Sequence, residues 1–496
     1  MSTDKSLGSL LSEFGLDSEG KPIKDKENRE RSDEELQAME DAIIGEMDPA
    51  KIKADMSASD IISAINASDG EEQRQVQHGF VPAEPQSFYE VGIGQLEIEA
   101  ILLKTLLVFG EASGRELSKL IKLPFVMVEK MLRALKQAQV VTHKQSAVVN
   151  DYMFVLTERG GELARHYQYR NAYIGSTPVT LNDYIKSVAL QSLSHKSPTI
   201  EDLRMAFGGL MLSRQVMDRL GPAINSARGL FLFGNPGNGK TSIAERVTAA
   251  FGETIWVPRA IYVAGEIIRV FDPINHIEVP LEESSGLISE QNVDRRWVRI
   301  KRPTIIAGGE LTASQLEVTV NKSTGVSEAP LQMKSNCGTL VIDDFGRQKI
   351  PVEQLLNRWI IPLEKRFDFL NLPNGRKVQI PFDQLIIFST NLEPRDLVDE
   401  AFLRRIPYKI EIKDPSEEEF RDLFVDLAAK MGFAFNQDAL DYLIETHYKQ
   451  IGRTFRFCHP RDLLRQIENY CAYHKCEKVM SRELFDIACD NYFAVM

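Results

Sequence analysis

The chain has 496 residues, 43% apolar and 26% charged, which is too long for one hydrophobic core and predicts two or three globular domains. Its five cysteines have no regular short-range spacing, which excludes a disulfide framework, and no window approaches the roughly 18 to 20 uninterrupted apolar residues of a membrane span. The net charge of -12 is concentrated at the start, where residues 1–60 hold 16 acidic and 8 basic side chains; a soluble, cytoplasmic protein with no membrane partner is expected, and the total alone neither requires nor excludes nucleic acid.

Residues 1–80 are polar, acidic and poor in aromatics, the composition of a disordered tail. Inside it Leu36, Met39, Ile43 and Met47 recur at helical spacing, which leaves open both nascent helix and a segment that docks on a partner. Residues 88–170 then predict three helices, over GQLEIEAILLKTLLVFG, ASGRELSKLIKL and PFVMVEKMLRALKQAQVV, followed by β-prone runs VVTHKQSAVV and DYMFVLT. Three helices and a hairpin make a winged-helix-like domain, and AVVNDYMFVLTERGGELARHY resembles the wing and following helix of winged-helix regulators. Residues 171–225 read as a helical connector, 226–412 as an α/β nucleotide-binding domain, and 413–496 as a helical lid.

The chemistry centres on GLFLFGNPGNGKTSIAERV. An apolar strand runs into Gly234, Asn235, Pro236, Gly237, Asn238, Gly239, Lys240, Thr241 and Ser242, and a helix continues, which is the Walker A pattern in its strand-loop-helix setting. The glycines let amide N–H groups point inward at phosphates. Unpaired amides of the new helix add to the same site, Lys240 offers charge to the terminal phosphates, and the Thr241 hydroxyl suits Mg²⁺. A second strand, GTLVIDDF, ends in Asp343 and Asp344. At the carboxyl edge of a parallel sheet Asp343 is placed to hold Mg²⁺, while Asp344 stands where a carboxylate polarises the attacking water.

The region from about 205 to 490 resembles the AAA+ ATPase superfamily. That family usually has Glu where this chain has Asp344, which leaves slower hydrolysis or a differently placed water open. The resemblance implies further roles: Asn391, ending QLIIFSTN, as sensor 1; Arg405, or else Arg404, in DEAFLRRIPYKIEI as a finger reaching a neighbouring subunit; and Arg461 in FCHPRDLLRQIENY as sensor 2, with Arg453 and Arg456 as competitors. ATP and Mg²⁺ as ligands and a homo-oligomer, a hexameric ring, are implied in the same way. FDFLNL and KVQIPF flank an Asn-Gly turn, a hairpin signal similar to the extra hairpin before sensor 1 in one branch of the superfamily.

Between the two phosphate-site motifs lie Arg295, Arg296, Arg299, Lys301 and Arg302, with Trp297 among them. Phosphate contacts and a stacking ring are one reading, and a half-exposed strand with buried Trp is the other. The presumed recognition helix presents Lys130, Arg133 and Lys136 beside Glu129 and apolar positions, which leans toward protein docking over DNA reading. Cys458, His459, Cys471, His474 and Cys476 lack metal-ligand spacing. The expected function is ATP hydrolysis coupled to chaperone-like remodelling of a protein client or multiprotein assembly. The alternatives are a DNA-acting helicase, loader or transcription-related regulator, and a nucleotide-gated scaffold with slow or no hydrolysis.

Overall fold

A computed structural model describes residues 79–147, 151–281 and 293–494; of the acidic tail expected over 1–80, all but Gly79 and Phe80 lies outside them. The N-terminal elements are α1 Gln95–Phe109, β1 Glu111–Ser113, α2 Gly114–Ile121, α3 Phe125–Gln137, β2 Val141–Ala147, β3 Asp151–Leu156 and α4 Glu158–Arg170. The strands form an antiparallel sheet in the order β1-β3-β2. Helix α2 starts at a capping box, with Ser113 and Glu116 satisfying each other's backbone donors. The Asp151 carboxylate of β3 accepts from the next two amides, Gly114 N at 3.1 Å and Arg115 N at 2.9 Å. Ile98, Leu102, Leu117 and Leu132 form the core between them.

The connector carries β4 Val179–Thr180, α5 Leu181–Leu190, α6 Ile200–Ala206 and α7 Arg214–Asn225. Next come β5 Leu230–Phe233, α8 Lys240–Val247, β6 Thr254–Pro258, β7 Ala260–Val263, β8 Glu266–Arg269, β9 Trp297–Lys301 and β10 Thr304–Ala307. The α/β region is completed by β11 Thr319–Val320, β12 Ser327–Glu328, β13 Thr339–Ile342, α9 Val352–Lys365, β14 Phe367–Asn371, β15 Lys377–Pro381, β16 Leu385–Thr390, α10 Glu400–Arg405 and β17 Tyr408–Glu411. Helices α11 Glu417–Met431, α12 Gln437–Ile444, α13 His459–His474 and α14 Arg482–Tyr492 close the chain.

The central sheet runs β10-β13-β16-β5-β17 with every neighbouring pair parallel. Its strands read TLVI, LIIFST and LFLF because helices cover both faces, so a parallel strand is buried along its whole length. Phe231, Phe345 and Phe388 meet in tilted and edge-on geometry on one side, over Trp359 of α9. The Asn-Gly hairpin forms as β14 against β15, and Asn374 at its tip donates to the Ala264 carbonyl at 2.9 Å.

A second sheet, β11-β12-β8-β7-β4, and the β6-β9 ribbon fill the interval between the two phosphate-site motifs. The stretch read as a helical connector thus also donates a strand, β4, which pairs in parallel with β7. This second sheet also completes the N-terminal core, since Ala260, Ile267 and Val326 belong to the same apolar cluster as α1 to α3. Arg296 fastens the junction. Its side chain and that of Asp294 are 4% and 3% exposed and paired at 2.8 Å, and its Nη1 also donates to the Val91 carbonyl at 3.0 Å. Arg296→Ala would strand a buried carboxylate, so a loss of about 3–5 kcal/mol is expected. Urea unfolding checks it; an unchanged midpoint would mean that Asp294 finds other partners.

The C-terminal helices pack around Phe420, Phe424, Leu440, Tyr448, Leu463 and Phe485. Helix α11 opens with a Ser416/Glu419 capping box, and α12 runs on into a π-helical turn over Glu445–Lys449. Within this unit the Tyr448 hydroxyl and His459 Nδ1 lie 3.0 Å apart. Burial, then Arg456 and Arg453, pull His459 down to about 4. Because the folded value lies below the unfolded one, near 6.5, the unfolded chain binds the extra proton first. Stability is therefore whole above about pH 6.5 and falls as pH drops toward 4. A melting temperature that declines over this window in wild type but less in His459→Asn is the expected result. No described helix is long and apolar enough to cross a membrane.

Candidate functional site

The loop Gly234–Gly239 leaves the carboxyl end of β5, where Phe233 lies opposite Thr390 of β16 and Glu411 of β17. Three of its glycines have positive φ: Gly234 at 135°, Gly237 at 81° and Gly239 at 79°. A tight approach also requires the first two. A Cβ on Gly234 would overlap the Ile412 carbonyl, and one on Gly237 would lie 2.5 Å from Cys458 Sγ. Gly239 then opens α8, whose first amides carry no side-chain cap and so remain available to an anion.

Lys240 and Thr241 are the first residues of α8. Lys240 Nζ donates to the Gly234 and Asn235 carbonyls, each at 2.9 Å, and to Asn391 Oδ1 at 2.7 Å. Burial holds its ammonium below the ordinary lysine value, against the opposing pull of Asp343 and Asp344. The Thr241 hydroxyl donates to Asp343 Oδ2 at 2.9 Å. Asn391, immediately after β16, turns its amide nitrogen to Asp344 Oδ1 at 3.3 Å, so one side chain links the lysine to the second acid. Asp344 has φ of 50°. Asp is among the few side chains enriched in that left-handed region and Glu is not, which gives a local backbone reason for the shorter acid at this position.

Lys240, Thr241, Asp343, Asp344 and Asn391 face a cavity of about 540 Å³ between the α/β core and the C-terminal helices, together with Pro236 to Gly239 and Ser242, whereas Gly234 and Asn235 do not line it. Arg461, in the first turn of α13, lines the same cavity. It is 53% exposed and touches only its neighbour Asp462 among the ion pairs of the described residues. Its competitors are engaged elsewhere: Arg456 pairs with Asp414, and Arg453 stacks 3.5 Å from the Phe493 ring centre. Arg404 and Arg405 lie outside this cavity, at the end of α10. Arg405 is 23% exposed and lies 3.5 Å from Glu364, while Arg404 is exposed beside a separate open cavity.

Several lining residues were not anticipated. Leu210, Met211 and Leu212 of the connector, Leu423 and Leu427 of α11, and Phe457 form the apolar part of the cavity. Asp414 was also missed: it accepts from Asn238 at 2.7 Å and Asn235 at 3.2 Å while pairing with Arg456, so it ties the loop to the C-terminal unit. The sole sequence signal was an Asp-Pro step before a capping box. Trp297 is buried against Phe80, so its ring is not a platform for a base. Among the described residues no group of three or more His, Cys, Asp or Glu side chains gathers as a metal cage.

Fold and site together describe a parallel α/β sheet with a glycine-rich loop at a strand end, closed by a helical unit. A family defined only as a domain of unknown function (DUF8689) matches residues 416–491, the closing helices. No curated protein matches the chain in sequence. Among solved structures the chain is similar to NtrX from Brucella abortus in complex with ADP, at 15% identity and TM-score 0.35, over 65% of this chain and 64% of that one. The ATP complex of the same protein gives 14% identity and TM-score 0.35 over 65% and 67%. RuvB from Thermotoga maritima, described as a Holliday junction branch migration motor, gives 13% and 0.31 over 57% and 70%.

Proposed function

We propose that this chain binds and hydrolyses ATP as an AAA+ type P-loop enzyme that shares its active sites between subunits. The observation that carries the reading is the bonded series Lys240, Asn391, Asp344 beside Thr241 and Asp343, at one strand edge facing one cavity. Amides of the loop and of α8 cradle the phosphates, and Lys240 exchanges its carbonyl partners for phosphate oxygens. The donor set fits a hard divalent ion: a hydroxyl and a carboxylate, Thr241 and Asp343, already directed at one point. Mg²⁺ held there would neutralise charge on the phosphate oxygens. Asp344, steadied by Asn391, accepts the proton of the attacking water, and Arg461 approaches from the closing helices. Leu210, Met211, Leu423 and Phe457 offer the base an apolar slot.

Arg404 supplies the cation in trans in this reading, because it is exposed while Arg405 is held by Glu364. Of the outputs expected from sequence, a DNA-directed or regulatory one is better supported than general protein remodelling. The N-terminal helices and hairpin have a winged-helix-like order, and α3 exposes Lys130, Arg133 and Lys136 on one face, though Arg133 is shared with Glu129 at 2.6 Å. The test is turnover of ATP by the purified full chain with Mg²⁺, with and without duplex DNA. Failure to bind labelled ATP would sink the reading. Binding with negligible turnover at every protein concentration would leave the nucleotide-gated scaffold. Salt-sensitive duplex binding unaffected by Lys130→Ala, Arg133→Ala and Lys136→Ala together would remove α3 as the DNA-facing element.

A further inference from the structure

The basic run Arg295–Arg302 divides in the fold. Arg296 is buried on Asp294, and Arg302 donates to the Gln191 and Cys337 carbonyls at 3.2 and 2.6 Å. Arg295 and Arg299 instead face a cavity of about 400 Å³, where they meet Lys122, Arg259 and Trp256. The four cations come from three places in the chain: Lys122 is the left-handed C-cap of α2, Arg259 sits between β6 and β7, and Arg295 and Arg299 precede and occupy β9.

Among the described residues their mutual repulsion is poorly offset. Burial lowers the Lys122 ammonium from its ordinary value, and Arg259 and Arg295 lower it further, as close like charges must. Of the acids nearby, Asp294 is committed to Arg296. Glu278 is 3.7 Å from Arg259 and itself half-exposed, and Glu84 lies near Arg295. Arg259 Nε is buried and makes no hydrogen bond among the described residues. A second cavity of about 340 Å³ shares Trp256 and Arg299 with the first and adds His195, Lys196 and Arg302, so the basic cleft continues along the β6-β9 ribbon. Neither cavity shares a lining residue with the one at the phosphate loop.

We propose that this cleft is a second anion site, which binds phosphate esters through Lys122, Arg259, Arg295 and Arg299 with Trp256 as its aromatic wall. The ester comes either from a strand of nucleic acid or from a free nucleotide. A groove of cations with an aromatic side is the usual means of holding single strands without reading sequence.

Fluorescence anisotropy of the full chain with labelled oligothymidylate, over a range of salt, tests it beside Arg259→Ala/Arg295→Ala. The double variant is expected to bind at least about 10-fold more weakly, with a salt slope shallower by roughly 1.5, one counterion term per lost contact. Glu278→Gln should bind more tightly, a gain that damage to the fold would not produce, and Lys122→Ala serves if the double variant fails to fold. In the Lys240→Ala background, which silences the phosphate loop, pyrophosphate is the second probe and tryptophan fluorescence the readout. A response to pyrophosphate alone, lost in the double variant, assigns a free phosphate ester. Oligonucleotide binding that ignores these substitutions and vanishes with Lys130, Arg133 and Lys136, or no response to either probe, overturns the proposal.

Discussion

Lys240→Ala is expected to abolish ATP turnover, by at least about 10²–10³-fold, the scale of removing one preorganised charge from a developing oxyanion. Alanine removes the group that joins both loop carbonyls to Asn391. Two losses follow from that position. Nucleotide phosphates lose their principal cation, and Asn391 loses the partner that fixes its amide toward Asp344. Nucleotide affinity should therefore fall along with turnover, whereas Asp344→Asn should bind ATP nearly as wild type and lose only turnover. Labelled-nucleotide titration beside steady-state phosphate release separates the two. A variant that retained turnover would show that the loop cradles something other than the reacting phosphates.

The parts of the site that are contiguous in sequence were legible in it, and the parts assembled across elements were not. The loop from Gly234 to Ser242 needs a strand, positive-φ glycines and a helix start in immediate succession, and each leaves a local mark. Asp343 and Asp344 could be read because an apolar strand announces a buried parallel position and the residues after it an edge, whereas Asn391 was reached only through the AAA+ resemblance of QLIIFSTN. Leu210, Met211 and Phe457 leave no such mark: they look like any apolar residues of a loop, and only the fold brings them opposite the phosphate loop. Trp297 alternates with basic residues in a way that fits an exposed platform and a half-buried strand equally, and Phe80 decides between them by covering the ring. The connector posed the same difficulty, because a two-residue strand such as β4 is defined by its partner and not by its own composition.

Replacing Arg404 is expected to have the other large effect. Helix α10 begins on the Asp399 cap and buries Phe402, which turns Arg405 back toward Glu364 and leaves Arg404 outward. The helix precedes β17, and β17 runs parallel to β5 over four residue pairs, Tyr408 opposite Leu230 to Glu411 opposite Phe233. The phosphate loop leaves the far end of β5, so the two ends of these strands stand about 10 Å apart at the usual rise per residue. Arg404 therefore stands at the edge of the sheet away from its own loop, so in the proposed shared-site reading it would serve the nucleotide of a neighbour. Arg404→Ala should lower turnover by about 10³-fold or more, the range for an arginine finger, without weakening ATP binding. Arg405→Ala should act mainly through its ion pair with Glu364 and cost less. Turnover per chain should rise with protein concentration in wild type, and mixing Arg404→Ala with Lys240→Ala should restore part of it, because one variant keeps the loop and the other keeps the finger. Two inactive variants that stay inactive when mixed, with wild-type turnover unchanged on dilution, would place the whole reaction within a single chain.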